Sequence, residues 1–193
     1  TTTACKVTET SGTGQHVFYR VLNDISMTAG APVTLSWCMK DDGVQYVLVV
    51  LSSASWYASA TFDIVSGSFV RSNYIAGNTY ISGSAEVTPL GSGWYRVSAS
   101  FMPTVTETGD FSIKLNRPNI NTQDPTYAGD GVSGVYVWHP QIEYGPTATA
   151  YQEVITAADY ATAFPIFQKY DGVDDGMATA TFAAGTLING MDC

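Results

Sequence analysis

The two histidines of this 193-residue chain, His16 and His139, are its candidates for acid–base or nucleophilic chemistry. A Ser–His–Asp set needs the imidazole held beside both a nucleophile and an acid. His16 stands at the start of one strand-like stretch and His139 on the polar face of another, and no G-x-S-x-G elbow is present. Paired carboxylates are the second route, to glycoside hydrolysis above all. Asp41, Asp42, Asp124, Asp130 and the Asp174–Asp175 pair all fall in turn or loop contexts, where aspartate serves the backbone. Only Glu143 lies in a strand pattern. No catalytic set emerges, and the chain reads as a non-enzyme.

Metal chemistry has one candidate. Asp124 and Asp130, with nearby carbonyls, offer the oxygen ligands of a structural Ca2+ site, set against the plainer reading as turn residues. No other cofactor is indicated. Cys5, Cys38 and Cys193 form no C-x-x-C pair, which argues against zinc. Cys5 and Cys38 sit on expected strands and read as small buried hydrophobes rather than a disulfide. Sugar binding would use exposed rings as flat platforms. Trp56, Tyr57, Tyr74 and Tyr80 occupy loop-like stretches and are the candidates; packing or a protein contact is the competing reading. Trp37 and Trp94 lie on alternating segments and are expected in the core.

The elements that must position these groups are strands. Short alternating runs recur at Cys5–Glu9, His16–Leu22, Pro32–Lys40, Tyr46–Leu51, Thr61–Val70, Ala85–Thr88, Trp94–Met102, Phe111–Leu115 and Val135–Tyr144. Turn signals separate them, among them Asp41-Asp42-Gly43, Ser66-Gly67 and Gly91-Ser92-Gly93. Tyr46–Leu51 is apolar on both faces, so it is expected at the centre of a covered sheet. In Val135–Tyr144, Val135, Val137, His139, Gln141 and Glu143 are expected on one face and Tyr136, Trp138, Ile142 and Tyr144 on the other. Pro140 cannot donate to a ladder, so this strand is expected to be an edge or bulged. Nine or ten short strands without helical periodicity imply an all-β, jelly-roll sandwich. The one helix candidate, Thr156–Ala163, lies in an Ala-rich linker that Pro165 stops.

Composition agrees. With 45% hydrophobic and 13% charged residues the chain is globular rather than disordered. A net charge of −9 with only eight Lys and Arg sets nucleic acid aside. No stretch is long and apolar enough to be read as a bilayer span.

Three segments carry a family resemblance: TAGAPVTLSWCMK at Thr28–Lys40, GWYRVSASF at Gly93–Phe101, and YAGDGVSGVYVWHPQIEYGPTATAY at Tyr127–Tyr151. Together with the hairpin TFDIVSGSFV, they resemble in order the carbohydrate-binding-module-like jelly roll of bacteriophage structural proteins. The strand that often precedes this module, with an "NLL" sequence, is missing. Downstream, Tyr170–Asp175 (YDGVDD) resembles the opening of a laminin-G-like or concanavalin-like module. The resemblance implies a virion component, of tail fibre, tail spike or capsid-attached type, as a segment of a longer product. It implies other virion proteins and further copies of the chain as partners, in a homotrimer, with host surface glycan as a further partner. The expected organisation is a jelly-roll domain over 1–152, a linker over 153–169, and over 170–193 the start of a second β module or a docking segment.

Overall fold

The computed structural model describes residues 4–55, 57–74, 79–80 and 84–152, without the side chains of 19–24, 74, 79 and 80. Every regular element among them is a strand. The first six are β1 (Cys5–Thr8), β2 (Thr13–Gly14), β3 (His16–Met27), β4 (Val33–Asp42), β5 (Tyr46–Ser53) and β6 (Tyr57–Asp63). The others are β7 (Ser68–Tyr74), β8 (Thr79–Tyr80), β9 (Glu86–Gly91), β10 (Trp94–Met102), β11 (Glu107–Leu115), β12 (Tyr127–Ala128) and β13 (Gly134–Tyr144). A six-stranded sheet runs β1-β13-β4-β10-β8, with β9 also on β10. A five-stranded sheet runs β3-β11-β5-β6-β7, and β2 and β12 form a small ribbon. All these ladders are antiparallel. The all-β, jelly-roll-like sandwich expected from the sequence is the observed fold.

Alternation builds the core. Val33, Leu35, Trp37 and Met39 of β4, Val97, Ala99 and Phe101 of β10, and Val135 and Val137 of β13 supply one inner face. Val47, Val49 and Leu51 of β5, Ala58, Ala60 and Phe62 of β6, and Ile113 and Leu115 of β11 supply the other, and all join one buried cluster.

The central place of β5 follows its sequence. Its outward residues Leu48 and Val50 are buried as well, in a second cluster with Tyr57. The polar segment 116–126 covers them. Arg71 donates to Asn119 Oδ1 at 2.6 Å and to the Ile120 carbonyl at 2.7 Å, and Tyr57 Oη donates to the Gln123 carbonyl at 2.7 Å. Lys114 is paired with Asp124. A loop thus does for this sheet what a helix layer does elsewhere.

Two strands depart from the sequence reading. β3 was expected to end at Leu22 with a loop to Ala31, yet it reaches Met27, opposite Glu107. Its register against β11 jumps between Gly109↔Ile25 and Phe111↔Arg20. The polar Asn23-Asp24 pair that breaks the apolar pattern therefore lies in a bulge rather than at a strand end. In β13, Trp138 pairs Cys38 but Gln141 pairs Ser36, so one extra residue is inserted at His139-Pro140. His139 has φ 49°, a left-handed value unusual for a side-chain-bearing residue. The bulge expected at Pro140 is present, and it corrects the expected faces. Ile142 joins Val135 and Val137 in the core, and Gln141 and Glu143 move to the side of Trp138.

Smaller corrections follow from pairing. Tyr57, Tyr74 and Tyr80 belong to strands, not loops. Trp37 is 1% exposed, as expected of a core residue, whereas Trp94 is only half-buried on the outer face of the six-stranded sheet. Cys38 is a buried free thiol whose pKa is raised by desolvation. Cys5, expected as a thiol, is disulfide-bonded. The linker at 153–169 and the module start at 170–193, including the helix expected at Thr156–Ala163, lie outside the described residues.

Candidate functional site

The Gly-Asp-rich loop before β13 is a structural corner. Glu9, 2% exposed, accepts from Tyr127 Oη and from the Asp130 backbone N–H, both at 2.8 Å. Arg117 reaches Glu9 Oε1 at 2.9 Å and Asp130 Oδ2 at 3.1 Å, so one guanidinium bridges both carboxylates. Asp130 Oδ1 accepts from the backbone N–H groups of Val132 (2.8 Å) and Ser133 (2.7 Å), and Oδ2 from Ser133 Oγ (2.7 Å). His16 is buried, with Nδ1 accepting from Thr10 N–H at 3.2 Å, which leaves Nε2–H to donate to the Tyr127 carbonyl at 3.1 Å. Gly129 is required here: a Cβ would stand 2.0 Å from the Thr10 carbonyl and 2.7 Å from His16 Cε1.

This bonding decides the chemistry of each candidate. Both nitrogens of His16 are engaged by the fold. Asp130 is held far below the usual carboxylate range, first by the Ser133 hydroxyl, then by the backbone donors of Ser133 and Val132. Asp124 is joined to Lys114. Among the described residues no three His, Cys, Asp or Glu side chains gather as a metal site. The two carboxylates read as Ca2+ ligands each answer a cation of the chain itself, Asp124 to Lys114 and Asp130 to Arg117.

A pH dependence follows. Asp63 is also lowered: burial opposes ionisation, but hydrogen bonds from Ser66, Gln45 and Val65 outweigh it. Glu107 is lowered by the hydroxyls of Ser53 and Ser55. A depressed carboxylate contributes stability that is full above its unfolded pKa and is lost as pH falls toward the folded value. Thermal melts should hold steady above about pH 5 and decline from about pH 4 downward, near the unfolded carboxylate range. A melting temperature flat from pH 6 to 2 would contradict these assignments.

Of the proposed sugar platforms, Tyr57 has its side chain among the described residues. Tyr57 is 8% exposed, with the Lys114 ammonium 4.9 Å from its ring centroid, so it has no free face for a sugar. It is corrected from platform to packing residue. Trp56 lies outside the described residues, as do the side chains of Tyr74 and Tyr80.

Two other surfaces present groups on rigid strands. One is an open hollow of about 240 Å³ on the five-stranded sheet, lined by Gln15, Val17, Ser52, Asp110, Ser112 and Lys114 beside Tyr57. Its only cation, Lys114, is already paired with Asp124. The other is the outer face of the six-stranded sheet. There Trp94 and Trp138 meet edge to face at 6.1 Å, His139 stacks on Trp138 at 3.6 Å, and Tyr151 stacks on His139 at 3.7 Å. The His139-Pro140 bulge makes this row, and the chain after β13 completes it by folding back. Gln141 Oε1 accepts from the Gln152 N–H at 3.1 Å, and Glu143 accepts from Thr149 N–H at 3.1 Å and Thr149 Oγ1 at 2.5 Å. Periodicity alone hid the row, because the expected faces ran straight through Pro140.

No helix of the described residues is long and apolar enough to cross a membrane. Compared with family models and with curated proteins, the sequence matches none of them.

Proposed function

We propose that this chain is a non-enzymatic structural component of a bacteriophage virion, in a tail fibre, tail spike or capsid-attached element. Its partners are copies of itself, as a homotrimer, and other virion proteins. The observation that supports this reading is the use made of Tyr127–Tyr151, the stretch through which the chain resembles such modules. Its polar residues serve the scaffold: Asp130 closes the corner, and Gln141 and Glu143 clamp residues 149–152. A motif used this way specifies a module and the path of the chain leaving it, not a reaction. Mass spectrometry of purified particles tests it. The chain should appear in stoichiometric amount among particle proteins, and particles lacking it would refute the reading.

A second reading is a receptor-recognition module for surface glycan, on the virion itself or as the targeting part of a polysaccharide depolymerase. The specific observation in its favour is the half-buried row Trp94, Trp138, His139 and Tyr151, borne on paired strands and a clamped return segment. Aromatic faces held this way suit pyranose rings. A glycan array with the full chain should show saturable binding that Trp138→Ala reduces; no binding on the array would sink it.

A further inference from the structure

We infer that the outer face of the six-stranded sheet binds an acidic saccharide, its ring against Trp94 and Trp138 and its carboxylate on Arg96 and Lys40; this rests on the glycan-recognition reading above.

Strand register sets the arrangement. Lys40 lies between Trp94 on β10 and Tyr136 on β13. Two residues along β4, Cys38 lies between Arg96 on β10 and Trp138 on β13. Alternation keeps Trp94, Arg96, Lys40, Cys38, Tyr136 and Trp138 on one face, opposite the core residues Trp37, Met39, Val97 and Val137. Two cations and three aromatic residues thus share two neighbouring rows of a rigid sheet.

The cations set the class of ligand. Of the six Lys and Arg whose side chains are described, three, Lys6, Lys114 and Arg117, have an acidic partner. Lys40, Arg71 and Arg96 have none among the described residues, Arg71 being bonded instead to the Asn119 amide and the Ile120 carbonyl. Among the described residues no carboxylate pairs with Lys40 or Arg96, although Glu86 lies nearby opposite Ser98. Arg96 donates one bond, to Ser36 Oγ at 3.0 Å, and its remaining N–H groups suit a planar carboxylate. Among the described residues neither cation sits over a ring, unlike Lys114 and Arg117. The second observation is an orphaned donor on the same face. Among the described residues the Trp138 indole Nε1 is buried without an acceptor, a costly state. The overall charge of −9 does not forbid an anionic ligand, because distant carboxylates are screened beyond about 8 Å at physiological salt.

The test uses the full chain with 15N-labelled tryptophan, titrated with a galacturonate trisaccharide, with the matching neutral galactose trisaccharide, and with sodium sulfate. The acidic sugar should move the indole N–H signals of Trp94 and Trp138 and leave that of buried Trp37 in place. Arg96→Gln and Lys40→Gln should each raise Kd about tenfold, the loss of one charged hydrogen bond. Raising salt should shrink the preference for the acidic over the neutral sugar. Equal binding of the two sugars at these signals overturns the acidic class and leaves glycan recognition standing. An equal response to sulfate alone reduces the site to an anion site and overturns the saccharide. If no sugar moves any signal, both this inference and the glycan reading fail.

Discussion

Trp37→Ala should lower stability by about 3–5 kcal/mol, the range for deleting a large buried aromatic. Trp37 is 1% exposed, lies in the main core cluster, and packs against Phe111 with ring centroids 5.5 Å apart. It joins the two sheets, since β4 and β11 belong to different ones. For a domain of this size the melting temperature should fall by roughly 10 °C. Trp94→Ala is the internal control. Trp94 is half-buried on the outer face and contacts Trp138 edge to face, so its removal should cost only about 1–2 kcal/mol. Equal losses for the two variants, by urea unfolding, would mean that the core is not where the burial pattern puts it.

Glu9→Ala is the second large effect, at about 2–4 kcal/mol. The substitution leaves the buried Tyr127 hydroxyl and the Asp130 N–H without their acceptor. Arg117 keeps Asp130, and its side chain is 37% exposed, so the ion-pair part of the loss is small. Most of the cost is the desolvation of unmet donors. Glu9→Gln should recover part of it, because the side-chain carbonyl can still accept one of the two bonds. A Glu9→Ala chain within about 0.5 kcal/mol of the parent, the scatter of neutral surface changes, would show that this corner does not anchor β1.

The fold was legible because alternation and turn chemistry agree over most of the chain. β10 was read with its observed ends, and its alternation already grouped Trp94 with Arg96, Ser98 and Ser100 rather than with Val97 and Phe101. The expectation of Trp94 in the core thus went against its own strand's pattern. Asn23-Asp24 was misread because a bulge adds residues without ending a strand; the bulge at Pro140 was expected, but the change of face it imposes on Gln141, Ile142 and Glu143 shows only against the partner strand. The candidate site was less legible still. Tyr57 looked like a loop aromatic; that segment 116–126 folds over it is a long-range fact with no local signal. Lys40 and Arg96 gain meaning only once pairing shows which carboxylates they lack.

The return segment after β13 also sets how the molecule takes tension. A pull transmitted through Gln152 meets a series of side-chain links before any ladder. The Gln152–Gln141 bond comes first, then Thr149 on Glu143, then the Pro146 and Gly145 carbonyls on Ser100 and Thr34. Behind them β13 is paired along β4. The exit of the chain from the sandwich is thus tied down by side chains of three different strands, β13, β10 and β4.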